Sequence, residues 1–256
     1  MAKKERSWAL TRARVLLLLG LLAVAIALVW QLVPRDETSS VALSDELARF
    51  RKLAEQDPAR TEAAAGLPAP GVYRYAIQGG ESLDALLDAD HPYGGTATIV
   101  VTRVPCGVEE SWRVLRERWS VSALCQVGGE LRLRRLDDYH DFFGEARTYA
   151  YACAPSARPR VTECRAGGSG ISYSTQSLGT EPVEVGGRTF VARHIRSAIV
   201  LSGETSGAGR SEEWRRSSDG LLLRKRVEVS TNVAVPGGGE YTESYWLALR
   251  SSRPER

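Results

Sequence analysis

The spacing of apolar residues changes twice along the chain. Residues 15–33 form an unbroken apolar run of 19 residues. Residues 41–56 then show helical spacing, with Leu47 and Phe50 on one face. From Gly71 onward, short alternating runs of apolar and polar residues are separated by glycine pairs, which is typical of antiparallel strands. The pattern predicts an apolar helix, a short amphipathic helix and a large β domain.

The apolar run 15–33 is predicted to cross a membrane. As a helix it would be about 28 Å long, close to the ~30 Å hydrocarbon core of a bilayer. Five basic residues precede it, so residues 1–14 are expected in the cytoplasm and the rest of the chain outside. A cleaved signal peptide is the alternative, but its apolar region normally spans only ~7–15 residues. We therefore expect one uncleaved membrane anchor.

Residues 34–70 are predicted to connect the anchor to the β domain. A juxtamembrane helix is expected from about Val41 to Gln56, with Ser44 as its N-cap. Its apolar face is too short for a coiled-coil seam, which favours packing on the β domain over dimerisation. An Ala/Pro linker follows over residues 58–70.

Residues 71–250 are predicted to form an antiparallel half-barrel or sandwich of about 11–12 strands, followed by a tail at 251–256. The glycine pairs at 128–129 and 186–187 are expected at tight hairpins. One helix, Glu81–Leu87, is predicted to interrupt the strands. The strands are expected at residues 72–78, 96–104, 107–114, 118–127, 130–136, 139–153, 170–177, 182–185, 188–201, 210–216, 221–230 and 240–250.

The four cysteines are predicted to form two disulfides, because they lie on the outer side of the anchor, where disulfides persist. A hairpin turning at 114–117 would place residues whose numbers sum to 231 opposite each other, so Cys106 would face Cys125. Cys153 and Cys164 would then close a short loop. A zinc site is the alternative, but no two cysteines have the close spacing typical of zinc ligands.

Charge excludes nucleic acid as a partner. The net charge is +3, but residues 1–35 alone carry +5, and the remainder carries −2. A nucleic-acid-binding domain is usually basic, whereas this domain is slightly acidic. No cofactor motif is found, and no cofactor is expected. The expected partners are the membrane, through the anchor, and a lipid or another envelope protein.

The densest group of polar residues follows residue 136. Two interpretations remain open for it: a solvated hairpin turn, or a metal or acid–base site built on Asp138 and His140, which share a strand face. His194 is expected to be hydrogen-bonded at the edge of the core, and His91 to be exposed in a loop. The group consists of Asp137, Asp138, His140, Asp141 and Glu145.

Four tryptophans lie on predicted strands beside aliphatic residues. They would either fill a packed core or line a cavity, since large curved sheets can enclose an apolar ligand. The four are Trp112, Trp119, Trp214 and Trp246. In the predicted hairpin register, Trp112 and Trp119 face each other.

The chain resembles a family of single-pass envelope proteins of actinobacteria over residues 1–250. Its preference for arginine over lysine, with only four lysines, fits a high-GC genome. More distantly, the C-terminal half resembles the half-barrel of lipoprotein-carrier and mycobacterial envelope-lipoprotein folds (LolA/LppX-like). That resemblance implies an apolar concave face that holds acyl chains. The first resemblance rests on the segments GVYRY (71–75), YHDFFG (139–144), YACAP (151–155), VGG (185–187) and DGLLLR (219–224), with Trp214 and the Cys106–Cys125 hairpin.

Three functions follow as hypotheses. The leading one is a non-catalytic extracytoplasmic module that binds an apolar ligand or an envelope partner. The second is a structural or sensory scaffold without a small ligand. The third is an envelope hydrolase that uses Asp137, Asp138, His140 and Glu145.

Overall fold

The computed structural model describes residues 38–85, 88–158, 160–233 and 238–256. The predicted cytoplasmic segment 1–14 and membrane helix 15–33 lie outside these residues. Within the described residues, no helix is both long enough and apolar enough to span a bilayer.

Twelve antiparallel strands form a closed barrel. Each strand pairs with the next along the chain, and the first also pairs with the last. The strands are β1 Gly71–Asp84, β2 Ala89–Val104, β3 Gly107–Arg113, β4 Arg118–Val127, β5 Glu130–Phe142, β6 Glu145–Pro155, β7 Val161–Ala166, β8 Ser169–Val185, β9 Arg188–Ser202, β10 Thr205–Arg216, β11 Leu222–Val233 and β12 Gly239–Leu249.

Closure of the sheet corrects the predicted half-barrel or sandwich. Tyr75 on β1 lies opposite Leu249 on β12 and also opposite Ala97 on β2, so neither edge of β1 is free. Strands in open and closed sheets show the same alternation of side chains. Periodicity along the sequence therefore predicts the strands but does not reveal whether the first and last ones meet.

Side chains along each strand point alternately into the lumen and towards the outer surface of the barrel, as β12 shows. Tyr241, Tyr245, Leu247 and Leu249 are buried on the face that points inward, which confirms their predicted common face. Trp246, between two of them, is 40% exposed on the outer face. Residues opposite an inward one on a neighbouring strand also point inward, because paired residues share a face.

Several predicted strand boundaries are wrong: β2 begins at Ala89 and not at residue 96, and β10 begins at Thr205 and not at residue 210. The predicted strand 139–153 is a hairpin, because Phe143 and Gly144 turn the chain with φ of 57° and 76°. Phenylalanine rarely adopts positive φ, so Phe143 itself did not indicate the turn that it forms with Gly144. The predicted strands 170–177 and 182–185 are parts of β8, whose register shifts between Ser177 and Gly179. Strand β7 was not predicted.

The predicted helix Glu81–Leu87 is also wrong for the residues that the structure describes. Residues 81–84 continue β1, where Glu81 lies opposite Glu243 and Leu83 lies opposite Tyr241. Pairing with β2 and β12 satisfies the backbone on both sides, and this outweighs a local helical spacing of leucines.

The amphipathic helix α1 spans Leu43–Gln56 and packs on the outside of the barrel. Phe50 is 4% exposed and contacts Val72 of β1 and Val100 of β2, which confirms the predicted packing on the domain. The helix begins after Ala42, and no side chain caps it, so the predicted Ser44 N-cap is wrong.

The chain between α1 and β1 is also fixed to the barrel. It contains a 3₁₀ helix, Pro58–Thr61, in which Arg60 donates to Glu109 at 2.6 Å and to Thr102 at 3.0 Å. At the other end of the chain, Glu255 pairs through its backbone with Val72.

Both predicted disulfides are confirmed, with Cα separations of 4.7 Å for Cys106–Cys125 and 4.0 Å for Cys153–Cys164. Cys153 lies directly opposite Cys164. The predicted register of the other hairpin is wrong by one residue, since Cys125 lies opposite Gly107. Cys106 thus lies one residue before the start of β3, yet it is close enough to bond to Cys125.

Replacing both Cys106 and Cys125 by alanine should lower the free energy of unfolding by about 3 kcal/mol, because the bond closes a loop of roughly 20 residues in the unfolded chain. Urea denaturation of the double variant and the oxidised wild type measures this loss. The variant should lose further stability in reductant, because Cys153–Cys164 remains. An unchanged urea midpoint would show that the bond contributes nothing.

Candidate functional site

The lumen contains ionisable side chains that belong to strands far apart in the sequence. Glu81 and Glu243 face each other across β1 and β12 on the inward face. Arg118 begins β4 and lies opposite His140 on β5. We call the group on these inner faces the Arg118 cluster. It consists of Glu81, His91, Arg118, Asp138, His140 and Glu243.

Arg118 lies at the centre of the cluster, donates hydrogen bonds to two carboxylates and forms an ion pair with a third, Glu81, at 3.4 Å. Its Nη1 donates to Asp138 Oδ1 at 2.6 Å, and its Nε and Nη2 donate to the two oxygens of Glu243 at 3.0 and 3.2 Å. Its guanidinium carbon lies 5.1 Å from the centre of the Trp112 ring. Charge-assisted bidentate pairs of this kind are strong and directional, so Arg118 fixes the positions of β5 and β12 relative to β4.

Glu81 connects the two histidines of the cluster. Its Oε1 lies 2.8 Å from His91 Nδ1, and its Oε2 lies 3.0 Å from His140 Nδ1. Tyr241 donates its hydroxyl to Oε2 at 2.9 Å. The other ring nitrogen of His140 lies 3.1 Å from Asp138 Oδ2. Both nitrogens of His140 therefore face carboxylate oxygens, an arrangement that favours a doubly protonated ring.

The pKa values of the cluster follow from these contacts. Burial raises the pKa of Glu81, but hydrogen bonds from His140 and His91 outweigh it and lower the pKa to about 2. Burial and Arg118 lower the pKa of His140, whereas Asp138 and Glu81 raise it to about 9. Asp138, held chiefly by Arg118 against the effect of burial, has a pKa well below its usual range. At neutral pH the cluster is a network of ion pairs.

Apolar side chains cover the Arg118 cluster at its end of the barrel. Leu83, Ala89 and Tyr241 are buried there with Phe142 packed against them. The ring of His91 stacks on Phe142 at 4.5 Å and is 0% exposed, so the predicted exposure of His91 is wrong. The exclusion of water strengthens the ion pairs and makes an unpaired charge there costly.

A second group of charges, the Arg215 cluster, consists of Glu110, Glu213, Arg215 and Lys225. Arg215 Nη1 and Nη2 donate to the two oxygens of Glu110 at 2.8 and 3.0 Å, and its Nε donates to Glu213 at 2.7 Å. Lys225 Nζ lies 3.2 Å from the other oxygen of Glu213. With two cations and two carboxylates, the cluster is neutral overall.

The lumen is not completely filled by side chains. Lys225 lies opposite Leu247, which is 1% exposed in the core, and therefore points inward, yet 28% of its side chain is accessible. Glu213, which lies opposite Lys225, has 22% of its side chain accessible, and Asp138 has 21%. Apolar residues on the same inner face are also only half-buried: Leu136, Tyr149, Tyr173, Leu201 and Val229. Solvent therefore reaches part of the inner wall.

The predicted polar group does not converge on one site. Asp138 and His140 enter the Arg118 cluster, as their shared strand face predicted. Asp137 points outward and pairs with Arg135 at 3.3 Å. Asp141 accepts a hydrogen bond from Tyr139 at 3.3 Å, and Glu145 is exposed. The hydrolase set proposed from the sequence is therefore divided between the two faces of the barrel wall.

Glu81, Arg118 and Glu243, which complete the cluster, are not among the predicted site residues. Arg118 reaches Asp138 across the β4–β5 hairpin, whereas closure of the barrel through β1 and β12 brings Glu81 and Glu243 to them. One signal was present: Glu243 interrupts an otherwise apolar alternation between Tyr241 and Tyr245. A charged residue in a predicted inward position indicates a buried partner.

The tryptophans have different environments, so they do not line one cavity. Trp112 is buried and stacks on Tyr245 at 5.1 Å between ring centres. Trp119 stacks on Tyr139, and Trp246 is exposed outside. Trp112 lies opposite Ser120, not Trp119, which corrects the predicted register.

Trp214 and His194 stack on each other at 4.3 Å. Trp214 donates its indole N–H to Glu181, and His194 Nε2 lies 3.2 Å from Glu212. This hydrogen bond matches the one expected for His194. Across the residues that the structure describes, no group of three metal-ligating side chains could hold a metal ion.

No protein-family model and no curated protein matches the chain. Among solved structures, the chain is similar to the crystal structure of the hypothetical lipoprotein YmcC from Escherichia coli K12, with 11% identity and a TM-score of 0.33. The match covers 83% of this chain and 100% of that one. A similarity of this size supports no argument about function, and the resemblance to actinobacterial envelope proteins stays a prediction.

Replacing Arg118 by methionine should lower the free energy of unfolding by about 3–5 kcal/mol, because Asp138 and Glu243 would lose their buried cation. Arg226→Met is the matched control, since Arg226 is 58% exposed and pairs with Glu228 on the surface. Its loss should cost less than about 1 kcal/mol. Urea denaturation compares the two variants, and similar losses in both would contradict the role of Arg118.

The pKa of His140 predicts a loss of stability at alkaline pH. Its folded-state pKa of about 9 exceeds the usual 6.5, so its contribution is complete below pH 6.5 and is lost as pH rises to 9. The loss should reach roughly 3 kcal/mol. Unfolding free energies between pH 6 and 9.5 measure it, and His140→Gln should flatten the profile. A wild-type profile as flat as that of the variant would refute the assignment.

Proposed function

We propose that the chain is a membrane-anchored, extracytoplasmic binding module whose barrel lumen takes an apolar ligand without chemical turnover. The observation that carries this proposal is the partly accessible apolar wall inside the barrel. Tyr173 and Leu201 face the lumen beside the buried Ile199 and remain half-buried. A concave apolar surface with a few fixed polar groups is typical of small-molecule sites.

The disulfides support the extracytoplasmic part of the proposal. All four cysteines are paired, and disulfides of this kind persist in oxidising compartments. The apolar run 15–33 supplies the anchor in this proposal, with the barrel on the outer side.

The absence of turnover is inferred from how the Arg118 cluster is occupied. Both oxygens of Asp138, Glu81 and Glu243 are hydrogen-bonded within the cluster. A general acid or base needs a polar atom that is free to exchange a proton with substrate, and the oxygens of these three carboxylates are instead engaged by partners within the barrel. The cluster therefore serves better as a fixed scaffold for the lumen than as a reactive centre.

Native mass spectrometry of the full chain extracted from its own membranes tests the proposal directly. An apolar molecule should remain bound and should be released when the protein is unfolded. A chain that is isolated without any small ligand, and that binds none when offered, would favour a scaffold without a ligand.

A pair of adjacent substitutions locates the ligand in the lumen. Leu201 faces inward, whereas its neighbour Val200 is 54% exposed outside. Leu201→Asn should weaken binding of a fluorescent apolar probe about tenfold, because an apolar contact is replaced by an amide that must lose water. Val200→Asn should leave it unchanged. Probe titration measures both, after circular dichroism has confirmed that each variant folds.

Equal affinity in the two variants would place the probe elsewhere on the protein.

A further inference from the structure

Lys225 is a cation on the accessible wall of the lumen, and its hydrogen-bonding capacity is not filled. From it we propose that the apolar ligand carries an acidic head group, a carboxylate, which binds Lys225. This inference rests on the proposed function and specifies the class of ligand. It predicts an amphiphile such as a long-chain fatty acid rather than a neutral lipid.

The ammonium group of Lys225 has donors to spare. Among the residues that the structure describes, its one ion-pair partner is Glu213, at 3.2 Å. An ammonium group has three N–H donors, so two remain for a ligand. In addition, 28% of the Lys225 side chain is accessible from the lumen.

The other charges of the Arg215 cluster are fully engaged. Glu213 accepts from Arg215 through one oxygen and from Lys225 through the other. Arg215 directs Nε to Glu213, both Nη atoms to Glu110 and Nη1 also to the carbonyl of Gly220. The hydrogen-bonding groups that remain free in this cluster are therefore the N–H donors of Lys225. Free donors can bind an anion but not a cation.

Lys225 remains charged in this environment. Burial lowers its pKa, but Tyr245 and Glu213 raise it more, so the pKa lies above its usual value. Tyr173 and Tyr245 are both near enough to interact electrostatically with Lys225. Within the described chain, their hydroxyls make no hydrogen bond, and each could donate to a carboxylate beside the ammonium group.

An apolar path begins at Lys225 and follows the inner face of β11. Val227 and Val229 point the same way as Lys225, at every second residue. Val229 packs in one cluster with Leu201 and Tyr173, and all three are only half-buried, so this apolar part of the wall is accessible. A hydrocarbon chain would lie along it with its acid group at Lys225.

The proposed pairing also has a physical reason. A carboxylate that enters the lumen loses its water, and only a fixed opposite charge compensates for that loss. Lys225 is already held in place by Glu213, so little entropy is lost when the acid binds.

Displacement of a fluorescent probe from the full chain, delipidated and held in nanodiscs, tests the proposal. The competitors share one chain length: palmitate, hexadecanol and hexadecyl phosphate. We expect palmitate to bind wild-type protein at least tenfold more tightly than hexadecanol. Lys225→Met should remove this preference, and Lys225→Arg should keep most of it. Arg226→Met, which removes a cation from the outer face of the same strand, should keep all of it.

The outcomes separate this inference from the proposed function. Equal binding of palmitate and hexadecanol to wild-type protein would refute the acid head group but leave an apolar-ligand module intact. Tighter binding of hexadecyl phosphate than palmitate would replace the carboxylate by a phosphate. A preference for palmitate that survives Lys225→Met would move the head group away from Lys225. If the probe bound but no competitor displaced it, the acid head group alone would be refuted, and if neither the probe nor any competitor bound, both proposals would fail.

Discussion

Pairing of β1 with β12 is the constraint on which the rest of the structure depends. It leaves no free edge in the sheet and turns one face of every strand into the wall of a lumen. Charged residues on that face lose most of their water and must find partners across the barrel. Closure brings Glu81 and Glu243 to Arg118 and His140, and Glu110 to Arg215. The other pairs of the two clusters lie within one strand or one hairpin.

A cluster such as that of Arg118 need not add to stability in comparison with a well-packed apolar core. Removing one partner is nevertheless costly, because the remaining charge is buried without compensation. Such a network favours one arrangement of strands: a shift of β12 by one residue would turn Glu243 away from Arg118 and bring Trp246 inward. The cluster thus fixes the register at the point where the barrel closes.

The two clusters differ in a way that bears on function. Glu81 and His91 are wholly buried beneath Leu83 and Phe142, whereas Lys225 is in contact with the lumen. Saturated ion pairs give rigidity at one site, and an unsaturated ammonium beside a partly accessible apolar wall gives the capacity to bind at the other. The proposed ligand uses the second site and depends on the first only for the shape of the wall.

The sequence by itself determined those features that depend on near neighbours. The alternation of Tyr241, Tyr245 and Leu247, the tight turn at Gly186-Gly187 and the pairing of Cys153 with Cys164 all follow from local spacing. Tertiary structure alone decided that the sheet closes, that residues 81–84 are strand, and that Glu243 meets Arg118. The physical reason is that these outcomes depend on which strands become neighbours, and alternation along one strand carries no information about the strand across the barrel.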